Sequence, residues 1–168
     1  MVTKRAPSLD RIDIKILAFL QRDGRATIKK LADKVGLSAR ACLERVRRLE
    51  ASGIIAGYHA VIELTKLSRP VTVFAEIVLE KQASHARFEQ HLSNIEEVVD
   101  CWEVSGAVDY VARFVCADLA AYESLTSALL EDPKLGVGRI VSHIALRQVR
   151  KFDGYPDSLL KRALNQDE

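Results

Sequence analysis

A glycine followed two residues later by a strong helix cap is the feature that most restricts the fold of this chain. Thr27 is expected to cap a short helix with apolar residues on one face, and Gly36 supplies the left-handed position that ends it. Only Leu37 separates this glycine from Ser38, which is expected to cap the next helix. Two helices joined by so tight a turn are typical of a helix-turn-helix.

A further amphipathic helix is predicted before these two. Ser8 can cap it, and Asp10 and Asp13 fall in its first turn, where negative charge suits the positive end of a helix. The pair Asp23-Gly24 ends the apolar pattern. Three capped helices with a tight turn between the second and the third make the helix-turn-helix a firmer prediction than the turn alone.

The third helix has two different sides when its residues are placed about 100° apart. The side expected to pack on the first two helices holds Ala39, Cys42, Leu43, Val46, Leu49 and the stem of Glu50. The opposite side and its edges hold Ser38, Arg40, Ala41, Arg45 and Arg48, with Arg47 on a flank. Arginines near the start of such a helix can reach guanine edges in a major groove, and those further along can reach phosphates.

A simpler interpretation of these arginines is that they solvate an exposed face, with Glu44 as an i,i+4 partner of Arg40 and Arg48. DNA binding is favoured because the turn, the caps and a basic surrounding occur together. The residues predicted to contact DNA are Thr27, Ser38, Ala39, Arg40, Ala41, Arg45, Arg47 and Arg48.

The charge of the chain is divided unevenly along its length. Residues 1–66 hold 14 Lys and Arg against 7 Asp and Glu, whereas residues 67–168 hold 11 against 16. A basic first part joined to an acidic remainder indicates two modules, of which only the first faces a polyanion.

The segment after the third helix predicts a small wing and a linker. Ile54–Tyr58 and the extended residues 58–64 have glycines and β-branched residues typical of a wing or linking strand, and residues 65–70 follow as a linker. We therefore divide the chain into a DNA-binding domain (1–58), a linker strand and hinge (59–70), a second domain (71–152) and a C-terminal tail (153–168) that forms a short helix or frays.

The second domain alternates strands and helices. The predicted strands are residues 71–80, 98–106, 110–117 and 136–151, the last being clearest over Arg139–Val149. Helices are predicted over residues 84–95 and 119–131, the second capped by Asp118. The order β-α-β-β-α-β predicts a four-stranded antiparallel sheet with both helices on one face, the ferredoxin-like arrangement, and gives the whole chain an α+β fold.

The last strand has apolar residues on both of its faces. One face holds Ile140, Ser142, Ile144 and Leu146, and the other holds Val141, His143, Ala145 and Arg147. Because the two helices cover only one face of the sheet, we expect a second subunit to bury the other. A homodimer also suits DNA, since two recognition helices related by a twofold axis can read two half-sites about one turn apart.

Several runs of residues, in order and in both domains, resemble the Lrp/AsnC family of feast/famine regulators. They are Leu9-Asp10-x-x-Asp13, Asp23-Gly24-Arg25, Val35-Gly36-Leu37-Ser38, Cys42–Glu50, Gly53-Ile54-Ile55-x-Gly57-Tyr58 and Gly106-x-x-Asp109-Tyr110. The resemblance extends from about residue 8 to residue 152. It implies a winged helix-turn-helix joined to a ferredoxin-like ligand-sensing (RAM) domain, in a transcription regulator whose dimers assemble into tetramers or octamers.

The resemblance also implies an amino acid or related metabolite as effector, bound where dimers meet, near the turn between the second and third strands. In this chain the turn is Ser105, Gly106, Ala107, Val108, Asp109 and Tyr110. Gly106 allows backbone amides to approach a carboxylate, and Asp109 can accept from an ammonium group. The family usually has an acidic residue and an aromatic where this chain has Ala107 and Val108, so the usual ligand is not implied. Alternatively, the glycine and the aspartate only shape a hairpin turn.

Other classes of function find little support in the sequence. His85 and Glu89 are i,i+4 with further acids nearby, but a solvated helix end explains them without a metal. We predict no metal, no cofactor and no catalytic residue, because no nucleophile–base pair or phosphate loop occurs. The apolar runs are too short for a membrane span and no signal peptide is evident, so cytoplasmic location is expected. The alternative function is a nucleoid-organising protein that wraps DNA with little sequence preference.

Overall fold

The computed structural model describes residues 8–165. The first seven residues of the predicted DNA-binding domain and the last three of the predicted tail lie outside this range. The chain divides into two compact units, one comprising residues up to Val61 together with those from Arg150 onwards, and the other Ile62–Val149. The residues just before the tail therefore return to the N-terminal unit.

The first unit begins with three helices, α1 (Arg11–Leu20), α2 (Ile28–Val35) and α3 (Ala39–Ala51). Thr27 and Ser38 cap α2 and α3 as predicted, and Gly36 adopts a φ of 77° at the end of α2. The prediction for α1 was wrong by two residues, because Asp10 and not Ser8 is its cap. Asp10 accepts hydrogen bonds from two amides of the first turn while Asp13 reaches back to the Asp10 amide, a reciprocal capping box that a serine at position 8 cannot form.

The three helices enclose a small apolar core. Its fully buried members are Ile16, Leu31, Ala32, Val35, Cys42, Val46 and Leu49. Leu43 is half-buried, but Ala39 and Glu50, which we had placed on the packing side of α3, are exposed. Ala39 is exposed because it is the first residue of the helix, so no preceding helical turn covers it. The Glu50 side chain points away from the core and accepts a hydrogen bond at 3.0 Å from the Tyr58 hydroxyl.

No strand forms over residues 53–63, where a wing or linking strand was predicted. An extended segment becomes a strand only when a neighbouring strand supplies hydrogen bonds, and none of the four strands described in residues 8–165 lies beside this segment. A short 3-10 helix, Leu64–Lys66, stands at the start of the predicted linker.

The second unit has the predicted β-α-β-β-α-β order. Its elements are β1 (Val71–Leu79), α4 (His85–Leu92), β2 (Val98–Glu103), β3 (Tyr110–Cys116), α5 (Leu119–Glu131) and β4 (Val137–Ile144). The strands form one antiparallel sheet in the order β2-β3-β1-β4, which is the ferredoxin-like arrangement. Asp118 caps α5 as predicted, with its carboxylate 2.8 Å from the Ala121 amide.

Both helices lie on the same face of this sheet. Phe88 and Leu92 of α4, and Tyr122 and Leu129 of α5, share one buried cluster with Val73, Ala75, Ile77, Ala112 and Phe114 from the central strands. The opposite face, which we call the outer face, is formed by the alternate residues of the strands. Phe74 and Trp102 lie there and remain 41% and 53% exposed in the single chain.

The last strand is shorter than predicted. It ends at Ile144, which pairs with Val73, and the Ala145 amide makes a further hydrogen bond to the Thr72 carbonyl. Because β1 begins at Val71, it offers no further residues with which the chain after Ala145 could pair. Leu146 and Val149, which we had placed in the strand, are therefore unpaired and largely exposed.

The tail contains a helix, α6 (Asp157–Arg162), and packs against α1 within the first unit. The Gln21 side-chain amide donates to the Tyr155 carbonyl at 3.0 Å and accepts from the Tyr155 amide at 2.8 Å. Arg22 forms an ion pair with Asp157 at 3.1 Å. Gln21, the residue after α1, thus satisfies both the amide and the carbonyl of Tyr155, as the backbone of a neighbouring β-strand would.

Candidate DNA interface and ligand turn

The hydroxyl groups that cap the helix-turn-helix are also exposed. The Thr27 hydroxyl accepts from the Lys30 amide at 3.2 Å, and the Ser38 hydroxyl accepts from the Ala41 amide at 3.3 Å. Each hydroxyl retains its own proton as a donor. Thr27 and Ser38, both predicted to contact DNA, can therefore cap their helices and still donate a hydrogen bond to a phosphate, as groups at helix N-termini commonly do.

Arg40 and Arg47 are both exposed on α3. Arg40 has 90% of its side chain exposed and makes a loose ion pair with Glu44 at 3.5 Å, one of the two pairs expected for that glutamate. Arg47 is exposed as well. Since the two arginines are seven residues apart, they lie within about 20° of each other around the helix axis. Arg47 therefore lies on the same exposed side of α3 as Arg40, which we call the open face.

Arg45 and Arg48, also predicted to contact DNA, lie against α1. The Arg45 guanidinium donates to Asp10 at 2.6 Å and to Asp13 at 2.9 Å, and its side chain is only 26% exposed. Arg48 donates to Asp13 at 2.5 Å and not to Glu44. Ala41 is half-buried, and Ala39 is exposed at the start of the helix. The predicted set thus divides into residues open to solvent and residues engaged with α1.

The electrostatics of this contact favour the charged forms of both partners. Burial raises the pKa of the Asp10 carboxyl, but hydrogen bonds from the Asp13 amide and the Arg45 guanidinium outweigh it, and the pKa falls below its usual value of 3.8. Hydrogen bonds to Asp10 and then to Asp13 raise the pKa of Arg45. The contact between α1 and α3 is therefore an ion-pair network whose arginine stays charged.

The predicted ligand turn connects β2 to β3 over residues 104–109. Gly106 adopts a φ of +127°, which side chains rarely allow, and nothing lies within 4 Å of where its Cβ would be. The turn is closed by a hydrogen bond at 2.9 Å from the Val104 amide to the Asp109 carbonyl. Ser105, Gly106 and Ala107 are exposed, so the backbone of the turn is accessible.

Asp109 has a structural task within this turn. One of its carboxylate oxygens accepts from the Leu79 amide at 2.7 Å, and its own amide donates to the Ile77 carbonyl at 2.9 Å. These bonds fix the turn to the end of β1 and leave one carboxylate oxygen for other partners. Val108 beside it is half-buried and apolar. Tyr110, the last residue of the predicted set, is buried with its ring against Phe88.

A groove next to the turn contains Tyr110 of the predicted set together with polar residues that no predicted site includes, such as Glu89. It has a volume of 310 Å3 and lies between α4 and the edge strand β2. Tyr110 and Glu89 both line it, and the Tyr110 hydroxyl donates to Glu89 at 2.8 Å and lies 2.9 Å from the His85 ring nitrogen. Burial and the neighbouring carboxylates, Glu89 first, raise the pKa of Tyr110. The sequence signal was the i,i+4 pair of His85 and Glu89, which we had explained as a solvated helix end.

The part of the chain that the structure describes contains no group of three His, Cys, Asp or Glu residues placed to hold a metal ion. Within residues 8–165, no helix has the length and apolar character needed to cross a bilayer. Of the three cysteines, Cys42 and Cys116 are buried, and Cys101 is exposed on β2.

Two models of protein families match the chain. The one described as "Winged helix-turn-helix DNA-binding" matches residues 9–56, and the one described as "Lrp/AsnC ligand binding domain" matches residues 72–154. The first match includes the whole of α1 to α3, and the second includes the sheet, apart from Val71 at its first strand's start, with its two helices.

Individual relatives agree with both matches. The Bkd operon transcriptional regulator of Pseudomonas aeruginosa is 45% identical over 144 residues, which are 84% of this chain and 93% of that protein. A leucine-responsive regulatory protein of Haemophilus influenzae is 40% identical over 90% of this chain and 92% of its own length. Among solved structures, a transcriptional regulator from Neisseria meningitidis in complex with L-Met has a TM-score of 0.82 at 30% identity, covering 90% of this chain and 99% of that one.

Proposed function

Because the chain belongs to the Lrp/AsnC family of transcriptional regulators, we propose that it binds particular DNA sequences and that an amino acid or a related metabolite controls this binding. The observation that carries the DNA part is the open face of α3. Arg40 and Arg47 project from one side of a helix whose start is capped and exposed. An arginine in such a place can make two hydrogen bonds to guanine, the commonest specific contact in a major groove.

A selection experiment tests sequence preference directly. The full-length chain is incubated with a pool of random duplexes, and bound DNA is recovered and sequenced over several rounds. Enrichment of one motif with two related half-sites is expected, because a dimer presents two copies of α3. Recovery of unrelated sequences, together with nuclease protection repeated at every helical turn of long DNA, would contradict specificity and favour a wrapping protein.

The dimer in this proposal forms through the outer face of the sheet. Phe74 and Trp102 leave apolar surface exposed there, and in the same face Arg113 pairs with Asp100 and His143 with Glu76. Burial of such a face against a second copy is favourable, at about 25 cal/mol per Å2 of apolar surface. Sedimentation of the wild-type chain should give a dimer or a multiple of it, a tetramer or an octamer, whereas Phe74→Glu should give monomers. A wild-type monomer at micromolar concentration contradicts this part of the proposal.

The effector in this proposal binds at the turn between β2 and β3, where dimers meet. The L-Met complex of the Neisseria relative and the leucine-responsive relatives favour an amino acid as the class of ligand. The exposed backbone at Gly106 suits a carboxylate, and the free oxygen of Asp109 suits an ammonium group. Ala107 and Val108 add no polar group, so we infer an apolar ligand side chain.

A thermal-shift screen of the amino acids and their breakdown products tests the effector site. A ligand present at 100 times its Kd is expected to stabilise the fold by about 2.7 kcal/mol. The matched variant is Asp109→Asn, whose side-chain oxygen can still accept from the Leu79 amide while its charge is lost. Loss of the ligand shift in this variant, with the melting temperature of the free protein unchanged, supports the site. An undiminished shift places the ligand elsewhere.

A further inference from the structure

Asp13 is a charged residue with no exposed surface. Both of its carboxylate oxygens are occupied, one by Arg45 at 2.9 Å and the other by Arg48 at 2.5 Å. The second oxygen also accepts from the Asp10 amide at 3.0 Å. A buried carboxylate is tolerated only when it is paired and hydrogen-bonded in this way, and removing any partner leaves an uncompensated charge.

This carboxylate joins the start of α1 to the second and third turns of α3. Arg45 and Arg48 are three residues apart and therefore leave α3 on neighbouring turns of one side. Each is bound to the same residue of α1, and Arg45 is bound to Asp10 as well at 2.6 Å. Two attachment points on one helix fix its rotation about its own axis as well as its distance from α1.

Fixing the rotation of α3 decides which arginines face outwards. Arg45 is 26% exposed and Arg48 is 49% exposed, whereas Arg40 is 90% exposed. Arg47 shares the side of Arg40 and is exposed. The four arginines of the helix are thus divided by their contacts into one pair held by α1 and one pair on the open face.

We propose that Asp13 is the positioning residue of the DNA-reading surface, holding Arg45 and Arg48 against α1 so that Arg40 and Arg47 read base edges. This proposal rests on the sequence-specific DNA binding proposed above, and it reassigns two of the arginines predicted to contact DNA. Arg45 and Arg48 act on specificity through the orientation of α3, and Arg40 and Arg47 act on it by contact.

The first test compares two neighbouring arginines with the same substitution. Arg47→Gln and Arg48→Gln are made in the full-length chain, and affinity is measured for a duplex selected by the wild type and for a scrambled duplex of equal composition. Arg47→Gln is expected to lower the ratio of the two affinities at least about tenfold without changing the melting temperature. Arg48→Gln is expected to lower the melting temperature and, because Arg45 still holds α3 to Asp10 and Asp13, to lower the ratio by less than Arg47→Gln does. The reverse pattern overturns the proposal.

The second test uses the salt dependence of binding, which a purely structural role of Asp13 leaves unchanged. Asp13→Asn removes the charge that holds Arg48, and the freed arginine can reach a phosphate. The slope of log affinity against log salt should steepen by about one for the scrambled duplex, while the preference for the selected duplex falls. In the double variant Asp13→Asn/Arg48→Gln the slope should return to that of the wild type. An unchanged slope in the single variant, with equal losses of affinity for both duplexes, contradicts the proposal.

A measurement without DNA separates this proposal from the function on which it rests. If the wild type selects no duplex, sequence-specific binding fails, and the contact between α1 and α3 is then judged from melting temperatures alone. The losses from Asp13→Asn and Arg48→Gln should be clearly less than additive in the double variant, because each removes the same interaction. Additive losses would show that Asp13 does not hold Arg48, whatever the DNA measurements give.

Discussion

Replacing Gly154 with alanine should release the tail from the first unit. Gly154 adopts a φ of +98°, and a Cβ placed on it would lie 2.7 Å from Cδ and 2.8 Å from Oε1 of Gln21. The left-handed region alone costs a non-glycine residue about 1–2 kcal/mol. The same Gln21 side chain makes both hydrogen bonds to Tyr155, so it cannot move away from the new methyl group and keep them.

The loss of stability has an upper limit, because the tail can detach while the three helices stay folded. Two hydrogen bonds contribute about 1 kcal/mol each, and the exposed pair of Arg22 and Asp157 contributes about 0–1 kcal/mol. These polar contacts of the tail are therefore worth about 2–3 kcal/mol, and Gly154→Ala should lose no more than this from them. Melting of the helical core should change little.

Hydrogen exchange at the Tyr155 amide measures the detachment, since this amide donates to Gln21 in the docked tail. A loss of about 2 kcal/mol should speed its exchange about 30-fold. Gly57→Ala is the matched control, because Gly57 has no positive φ and its nearest obstacle is the movable ring of His59 at 3.3 Å. Unchanged exchange at Tyr155, or equal acceleration in both variants, would refute the reasoning.

Three further substitutions test other parts of the structure. Ser38→Ala removes the cap of α3 and should lower the free energy of unfolding by about 1 kcal/mol in urea titrations, whereas an unchanged value means that the cap contributes nothing. Because the pKa of Asp10 is lowered in the folded state, its contribution is complete above its usual pKa of 3.8 and is lost as the pH falls through the folded value. Wild-type stability should therefore fall more steeply below pH 3.8 than that of Asp10→Asn, and parallel curves would contradict the pairing with Arg45. Tyr110→Phe keeps the buried ring but leaves Glu89 without its hydroxyl donor, so the free energy of unfolding should fall by about 1–2 kcal/mol. An unchanged free energy of unfolding would show that water replaces the hydroxyl at no cost.

Features of the fold that depend on residues close together in the sequence were predicted correctly in most cases. The caps at Thr27, Ser38 and Asp118 were predicted correctly, because each needs only a short polar side chain three residues before a free amide. The order of strands and helices also followed from local patterns of apolar residues. Asp10 was missed as a cap because its advantage over Ser8 depends on a second contact, the return of Asp13 to its amide.

Contacts between residues far apart in the sequence could not be predicted from local residue patterns. The angle of Arg45 around α3 placed it at an edge, but only the folded structure brings Asp13 to it from 32 residues away. The attachment of the tail to Gln21 joins residues 134 positions apart, and nothing in the pattern of either segment predicts it. The end of β4 likewise depends on where β1 begins, which the apolar run up to Val149 did not reveal.

The affinity of the full-length chain for a selected and a scrambled duplex, measured at several salt concentrations, tests the central claim most directly. If Arg40 and Arg47 read bases, the two salt slopes should be similar, since phosphate contacts are shared, while the selected duplex binds at least about 1,000-fold more tightly at every salt concentration. Removal of both arginines should abolish this difference and leave binding to the scrambled duplex weakened but measurable. Equal affinities for the two duplexes in the wild type would contradict the account.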